Sequence, residues 1–341
     1  MERNRIRSKD KRYRERAKRN GRILAGLAFL LMCAVAAGLL CGAATVTLGD
    51  IAGIFHRDGL TKEGRIMLFV RLPRVAGAVV AGMGLAASGA VIQLILNNPL
   101  AGPNIIGVNA GAGFAVVLCG ALLPAGYSIL PFAAFLGAFI TVLLVYCIGK
   151  KTGASRITLV LSGVAVNSLL NGATDAVYIF SEESLMATNL FKIGGLSGIN
   201  MDVLKMAGFT VFVIIFLLLL FHNELEVFAL GEETAHTLGL SVGFYRLFFL
   251  LLAAGAAGAA VSFAGLLGFL GLLVPHMARR LVGEECRDYI IASVLLGALL
   301  LVGCDTAART VFAPYEVPVG IILSFLGAPF FLWILFRSRG R

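Results

Sequence analysis

Apolar residues along this chain gather into ten runs, near residues 23–44, 74–96, 104–123, 128–149, 157–180, 202–221, 243–263, 266–282, 289–308 and 318–336. The runs are continuous in Leu, Ala and Gly, and most approach the ~20 residues that a helix needs to cross a bilayer. The alternating segments of about ten residues that build a transmembrane barrel are absent. The pattern predicts an all-α, polytopic membrane protein with about ten transmembrane helices.

Composition supports this reading. The chain is 59% hydrophobic and 14% charged, with mean hydropathy +0.91, more apolar surface than one soluble core of 341 residues hides. Its 41 glycines suit close approach between membrane helices. The six cysteines are scattered without CxxC spacing and read as small buried hydrophobes.

Charge adds an orientation. Residues 1–22 hold eleven Lys or Arg against Glu2, Asp10 and Glu15. Directly before an apolar run, such a block reads as a cytoplasmic signal that touches anionic lipid, not as a nucleic-acid binder. The run that follows is too long for the apolar core of a signal peptide and reads as a retained first span. The chain therefore divides into a basic segment, 1–22, and a transmembrane unit, 23–341. Parity of ten spans then puts Lys150–Arg156, Met277–Arg287 and Arg337–Arg341 on the same side as the N-terminus, and all three clusters are basic. Both termini are expected in the cytoplasm.

Two groups break the rule. Arg71 and Arg74, in "FVRLPRVAGAVVAG", and Arg309, in "CDTAARTVFAPYEVPVG", fall outside by parity. A charge near bilayer depth costs about 2.5–3.5 kcal/mol on insertion scales. Either these side chains snorkel to the outer headgroups or they serve a function. Asp305 and Arg309 are four apart and could pair along a helix. On the other side, the connection 221–245 carries Glu224, Glu226, Glu232 and Glu233 with no Lys or Arg. Two short surface helices joined near Gly231 and stopped at Gly239 would present acidic and apolar residues, a docking surface for a cytoplasmic protein.

Pro and Gly interrupt two apolar segments, "NNPLAGPNIIGVNAG" and "GLLGFLGLLVPHMARR". Broken helices at membrane depth are tolerated where protein or a wet cavity satisfies the freed backbone, so these are candidate pathway walls. Asn98, Pro99, Asn104 and Asn109 lie in the first. Asn167, Asn171 and Asp175 lie four apart on one face of the fifth run. They could line a pathway or hydrogen-bond between helices. No phosphate-binding GxxxxGK[ST], HExxH or GxSxG is present, and the four histidines lack metal-ligand spacing.

Three long stretches in order resemble the FecCD family, permease subunits of ABC importers for iron–siderophore, haem and vitamin B12. They are "RLPRVAGAVVAGMGLAASGAVIQLILNNPLAGPNIIGVNAGAG", "GFLGLLVPHMARRLVG" and "DTAARTVFAPYEVPVGIILSFLGAPFFLWIL". The likeness runs from about Leu48 to the C-terminus. It implies the type II importer permease fold, a second permease subunit, cytoplasmic ATPase subunits and an extracytoplasmic binding protein. It implies that Arg71, Arg74 and Arg309 pair with glutamates of the binding protein. It implies that the loop at about 224–240 couples to the ATPase through Glu232, Glu233, Ala235, Leu238 and Gly239. The expected cargo is a ferric siderophore or related chelate, with no cofactor. The alternative is a secondary transporter driven by an ion gradient, which would depend on Asp175.

Overall fold

The computed structural model describes residues 2–42, 62–123, 129–153, 155–180, 188–189, 191–311, 313 and 315–338. Among these every regular element is a helix. They are α1 (Glu2–Leu40), α2 (Lys62–Leu96), α3 (Val108–Leu122), α4 (Leu130–Lys151), α5 (Arg156–Phe180), α6 (Met201–Leu220), α7 (His222–Ala229), α8 (Glu232–Thr237), α9 (Val242–Ala264), α10 (Leu270–Val282), α11 (Cys286–Thr310) and α12 (Val319–Ser338). Ten of the twelve coincide with the ten apolar runs. Seven of those are long and apolar enough to cross a membrane by themselves. α3 and α12 supply shorter apolar stretches, and α10 is a 13-residue helix that ends in Arg279 and Arg280. Residues 43–61, with Arg57 and the end of the first predicted span, lie outside the described residues.

α2 is the axis of the bundle. It packs against α11, α9, α10 and α6 and is the most buried of the seven long spans. Its glycines make this possible: a Cβ at Gly82 would overlap the backbone of Gly297 in α11, and one at Gly89 would overlap the carbonyl of Gly271 in α10. In lipid, where apolar side chains gain little by leaving the solvent, such backbone-to-backbone approach carries the association of helices. The predicted pairing of α7 and α8 is found, with Gly231 at φ 118° between them and Gly239 at φ 84° just after. Both angles belong to the left-handed half of backbone space, where glycine carries no Cβ penalty.

The basic segment and the first span form one 39-residue helix. Asn20, fully buried, fixes it where it joins the bundle by donating to the Val282 carbonyl at 2.9 Å and to Asp288 at 2.8 Å. Three of the six cysteines, Cys33, Cys41 and Cys147, lie on the exposed surface of the subunit, so the expected burial holds for Cys286 and Cys304 only in full.

Candidate functional site

The predicted residues resolve into three places: a cluster of charges at one end of the bundle, the α7–α8 pair at the other, and a polar cavity between.

The charged cluster is built on the N-terminal part of α2 and the C-terminal end of α11. Within α2 the stretch Met67–Arg71 widens to a π-helical turn immediately before Pro73, which has no N–H to donate to the helix ladder. Arg71 is the last residue of that turn. The three arginines expected as exposed charges are buried instead: Arg71 is 3% exposed, Arg74 5% and Arg309 5%. Asp305, 1% exposed, lies between two of them, 3.0 Å from Arg74 Nε and 3.1 Å from Arg309 Nε. The Arg309 contact is ionic, since its Nε is off the line for a hydrogen bond. Arg74 also reaches outward, donating through Nη1 to Glu316 at 2.6 Å. Arg71 donates to the carbonyls of Leu39 and Leu40 at 2.8 and 2.7 Å, and Arg309 to that of Gly38 at 3.0 Å. The last carbonyls of a helix lack intrahelical partners and carry the negative end of its dipole. Two of the three arginines therefore cap α1.

This changes the energetics expected of the cluster. Exposed pairs contribute ~0–1 kcal/mol. A buried charge stripped of its partner costs about 3–5 kcal/mol. The i,i+4 pairing of Asp305 and Arg309 was legible in the sequence. The link from Arg74 to Glu316, 242 residues apart, was not.

At the opposite end, α7 and α8 turn Phe228 and Ala235 fully inward. Ala235 is thus a core residue of the α7–α8 pair, not a presented one. Leu230 and Leu238 are exposed, as are Glu233 and Gly239. Glu232 is held from two sides, by an ion pair with Arg246 of α9 and by Arg156 of α5 at 3.5 Å. Basic residues of the N-terminal segment and of the cluster Met277–Arg287 share this end, whereas residues 339–341 lie outside the described residues. Arg16 of α1, Arg279 and Arg287 line a cavity of about 600 Å³ with His222 and Glu226 of α7.

Between the ends, Asn104, Asn109, Asn167 and Asn171 meet around a cavity of about 240 Å³ with Thr174 and Lys192. Asn167 donates to the Asn104 carbonyl at 2.7 Å, so it also ties α5 to the broken segment before α3. Asn98 and Pro99 do not join them; they are exposed at the C-terminal end of α2, where Asn98 accepts from the Leu100 N–H. Sequence reasoning missed Lys192, because it falls between the sixth and fifth runs with no periodic partner. Its ammonium lies 4.3 Å from the centre of the Tyr178 ring.

Comparison with known proteins accords with this architecture. Residues 30–337 match the model of the FecCD transport family. The Fe(3+)-citrate import system permease protein YfmD of Bacillus subtilis (strain 168) is 40% identical over 304 residues, covering 88% of this chain and 90% of that one. The Probable siderophore transport system permease protein YfhA of the same organism is 36% identical over 325 residues, covering 93% and 94%. A solved structure described as "an inward-facing conformation of a putative metal-chelate type ABC transporter" superposes with TM-score 0.81 at 27% identity, covering 93% of this chain and 99% of that one. The all-α fold and the extent of these matches agree, and the chain belongs to the FecCD transport family.

Proposed function

We propose that the chain is the permease subunit of an ATP-driven importer that carries a ferric siderophore or a related metal chelate, such as haem or cobalamin, into the cytoplasm. The observation that carries this is the separation of the two charged ends: Arg71, Arg74 and Arg309 gather at one, and the α7–α8 pair with the basic clusters at the other. By the positive-inside rule the second end faces the cytoplasm, as do both termini. An extracytoplasmic binding protein docks over the arginine cluster, and ATPase subunits engage the exposed Leu230, Glu233, Leu238 and Gly239. A second permease subunit, identical or homologous, completes the pathway.

The permease makes and breaks no bonds; its work is mechanical. Movement of α8 passes through Glu232 to Arg156, the first residue of α5, and α5 carries Asn167 and Asn171 at the cavity wall. Neutral amides and one lysine suit a wall along which a chelate passes without being held. The names of the relatives, siderophore and ferric citrate among them, support a metal-chelate cargo.

The test is reconstitution in vesicles with the ATPase and binding protein, with uptake measured for ferric hydroxamates, ferric catecholates, haem and cobalamin. Uptake of one of these should require ATP and fail when residues 224–240 are replaced by a flexible linker. Uptake driven by an ion gradient without ATPase, and abolished by Asp175→Asn, would establish a secondary transporter instead.

A further inference from the structure

The arginine cluster is already occupied. Two of the three guanidiniums, Arg74 and Arg309, engage two carboxylates, Asp305 and Glu316, and the two acids are held very differently. Asp305 stands on α11, is 1% exposed, and contacts both Arg74 and Arg309. It cannot leave without moving a helix. Glu316 stands in the short connection between α11 and α12, and its side chain is 50% exposed. Among the described residues its other hydrogen bond is a long one, from the Ser197 hydroxyl at 3.5 Å. The hydrogen bond from Arg74 holds its carboxyl below the ordinary value of 4.5, so at neutral pH it is an anion.

We propose that Glu316 is a placeholder carboxylate: it satisfies the outward side of Arg74 in the undocked subunit, and a carboxylate of the binding protein replaces it on docking. This rests on the reading of this end as the docking surface.

The physical reason is the burial of Arg74. Asp305 holds Nε of this guanidinium, which is 5% exposed, but leaves its outward Nη1 needing an acceptor, and a carboxylate from a second protein arrives only part of the time. A resident carboxylate on a short loop meets that need between encounters. Exchange of one carboxylate for another leaves the number of ion pairs unchanged, so docking costs little and releases readily. The cluster's formal charge is +1 with Glu316 in place and +2 once it swings away. The incoming acid therefore meets a stronger field as the resident one leaves.

The experiment uses the assembled importer in nanodiscs and the binding protein that supports its uptake. With Glu316→Gln, which keeps shape and removes charge, the Kd for the binding protein should fall about tenfold, with a faster association rate that depends more steeply on salt. In the unaltered chain, docking should speed hydrogen exchange of the amides at 315–317 and 319–321, as Glu316 is released. A Kd unchanged or raised in Glu316→Gln, or slower exchange on docking, overturns the placeholder. A photo-crosslinking residue at Tyr315, an exposed neighbour in the same connection, separates the two ideas. Crosslinks to the binding protein without tightening by Glu316→Gln would defeat the exchange alone. Absence of crosslinks would defeat the docking surface itself.

Discussion

Asp305→Asn is the sharpest test of the charged cluster. The substitution keeps the side chain's size and removes one charge from between two guanidiniums. The loss falls unequally. Arg74 retains Glu316, whereas Arg309 retains only the Gly38 carbonyl among the contacts described above. Breaking a buried pair by removing one partner costs about 3–5 kcal/mol. With an unfolding entropy of roughly 2.1 cal/mol/K per residue over 341 residues, that lowers Tm by about 4–7 °C. The assay is thermal unfolding in nanodiscs, followed by intrinsic fluorescence. Adding Arg309→Gln to Asp305→Asn removes the stranded charge, so the double variant should be less destabilised than the two singles summed, by about 0.5–3 kcal/mol. A Tm within 1 °C of the parent in Asp305→Asn would show that water reaches and solvates Arg309, and the argument from burial would fail.

Other expectations follow from separate features. Gly89→Ala should sharply reduce the yield of folded protein, because its methyl group meets the Gly271 carbonyl, whereas Gly172→Ala, with open space around it in α5, should fold normally; detergent-solubilised yield compares them. Glu316 has a lowered folded-state pKa, so its stabilising effect is complete above the unfolded value of 4.5 and is lost as pH falls through the lower folded value. The Tm difference between parent and Glu316→Gln should thus be constant from about pH 6 to 8 and shrink below ~4.5; a difference independent of pH down to 3 would contradict the Arg74 contact. Arg246→Gln releases one of the two arginines on Glu232, and hydrogen exchange across 231–240 should quicken while the rest of the bundle is unchanged.

How much of this was written legibly in the chain depends on the range of the interaction. Apolar run length located ten of the twelve helices, seven of them long enough to cross a membrane, because a bilayer imposes its thickness on each helix separately. Gly231 and Gly239 announced the α7–α8 pair, since a left-handed turn is a local requirement. Parity put Arg156, Arg279 and Arg287 on the same side as the basic N-terminal segment, and they lie at one end with Arg16. The state of the arginines was hidden. Their burial depends on α1 ending beside α2 and α11, contacts between residues some 30 and 270 positions apart. No periodicity encodes that. Nor could it show that Ala235 faces inward, because a helix of six residues has too few turns to declare a face. The asparagines lay between these cases. Four spaced along broken or polar-striped segments did converge, while Asn98 and Pro99, drawn from the same segment, stayed at the end of α2.

The long first helix has a consequence for how the two ends communicate. Asn20 is pinned to the last residue of α10 and the first turn of α11, and the carbonyls of Gly38, Leu39 and Leu40 are pinned by Arg309 and Arg71. From Asn20 to Gly38 the unbroken helix rises eighteen steps, about 27 Å at 1.5 Å per residue. A helix resists stretching far more than it resists tilting, so α1 acts as a tie rod of fixed length. Displacement of the arginines along the bundle axis must be matched at Asn20, beside the cavity that α7 lines. The first span would then carry displacement from one face of the membrane to the other without touching the cargo's route.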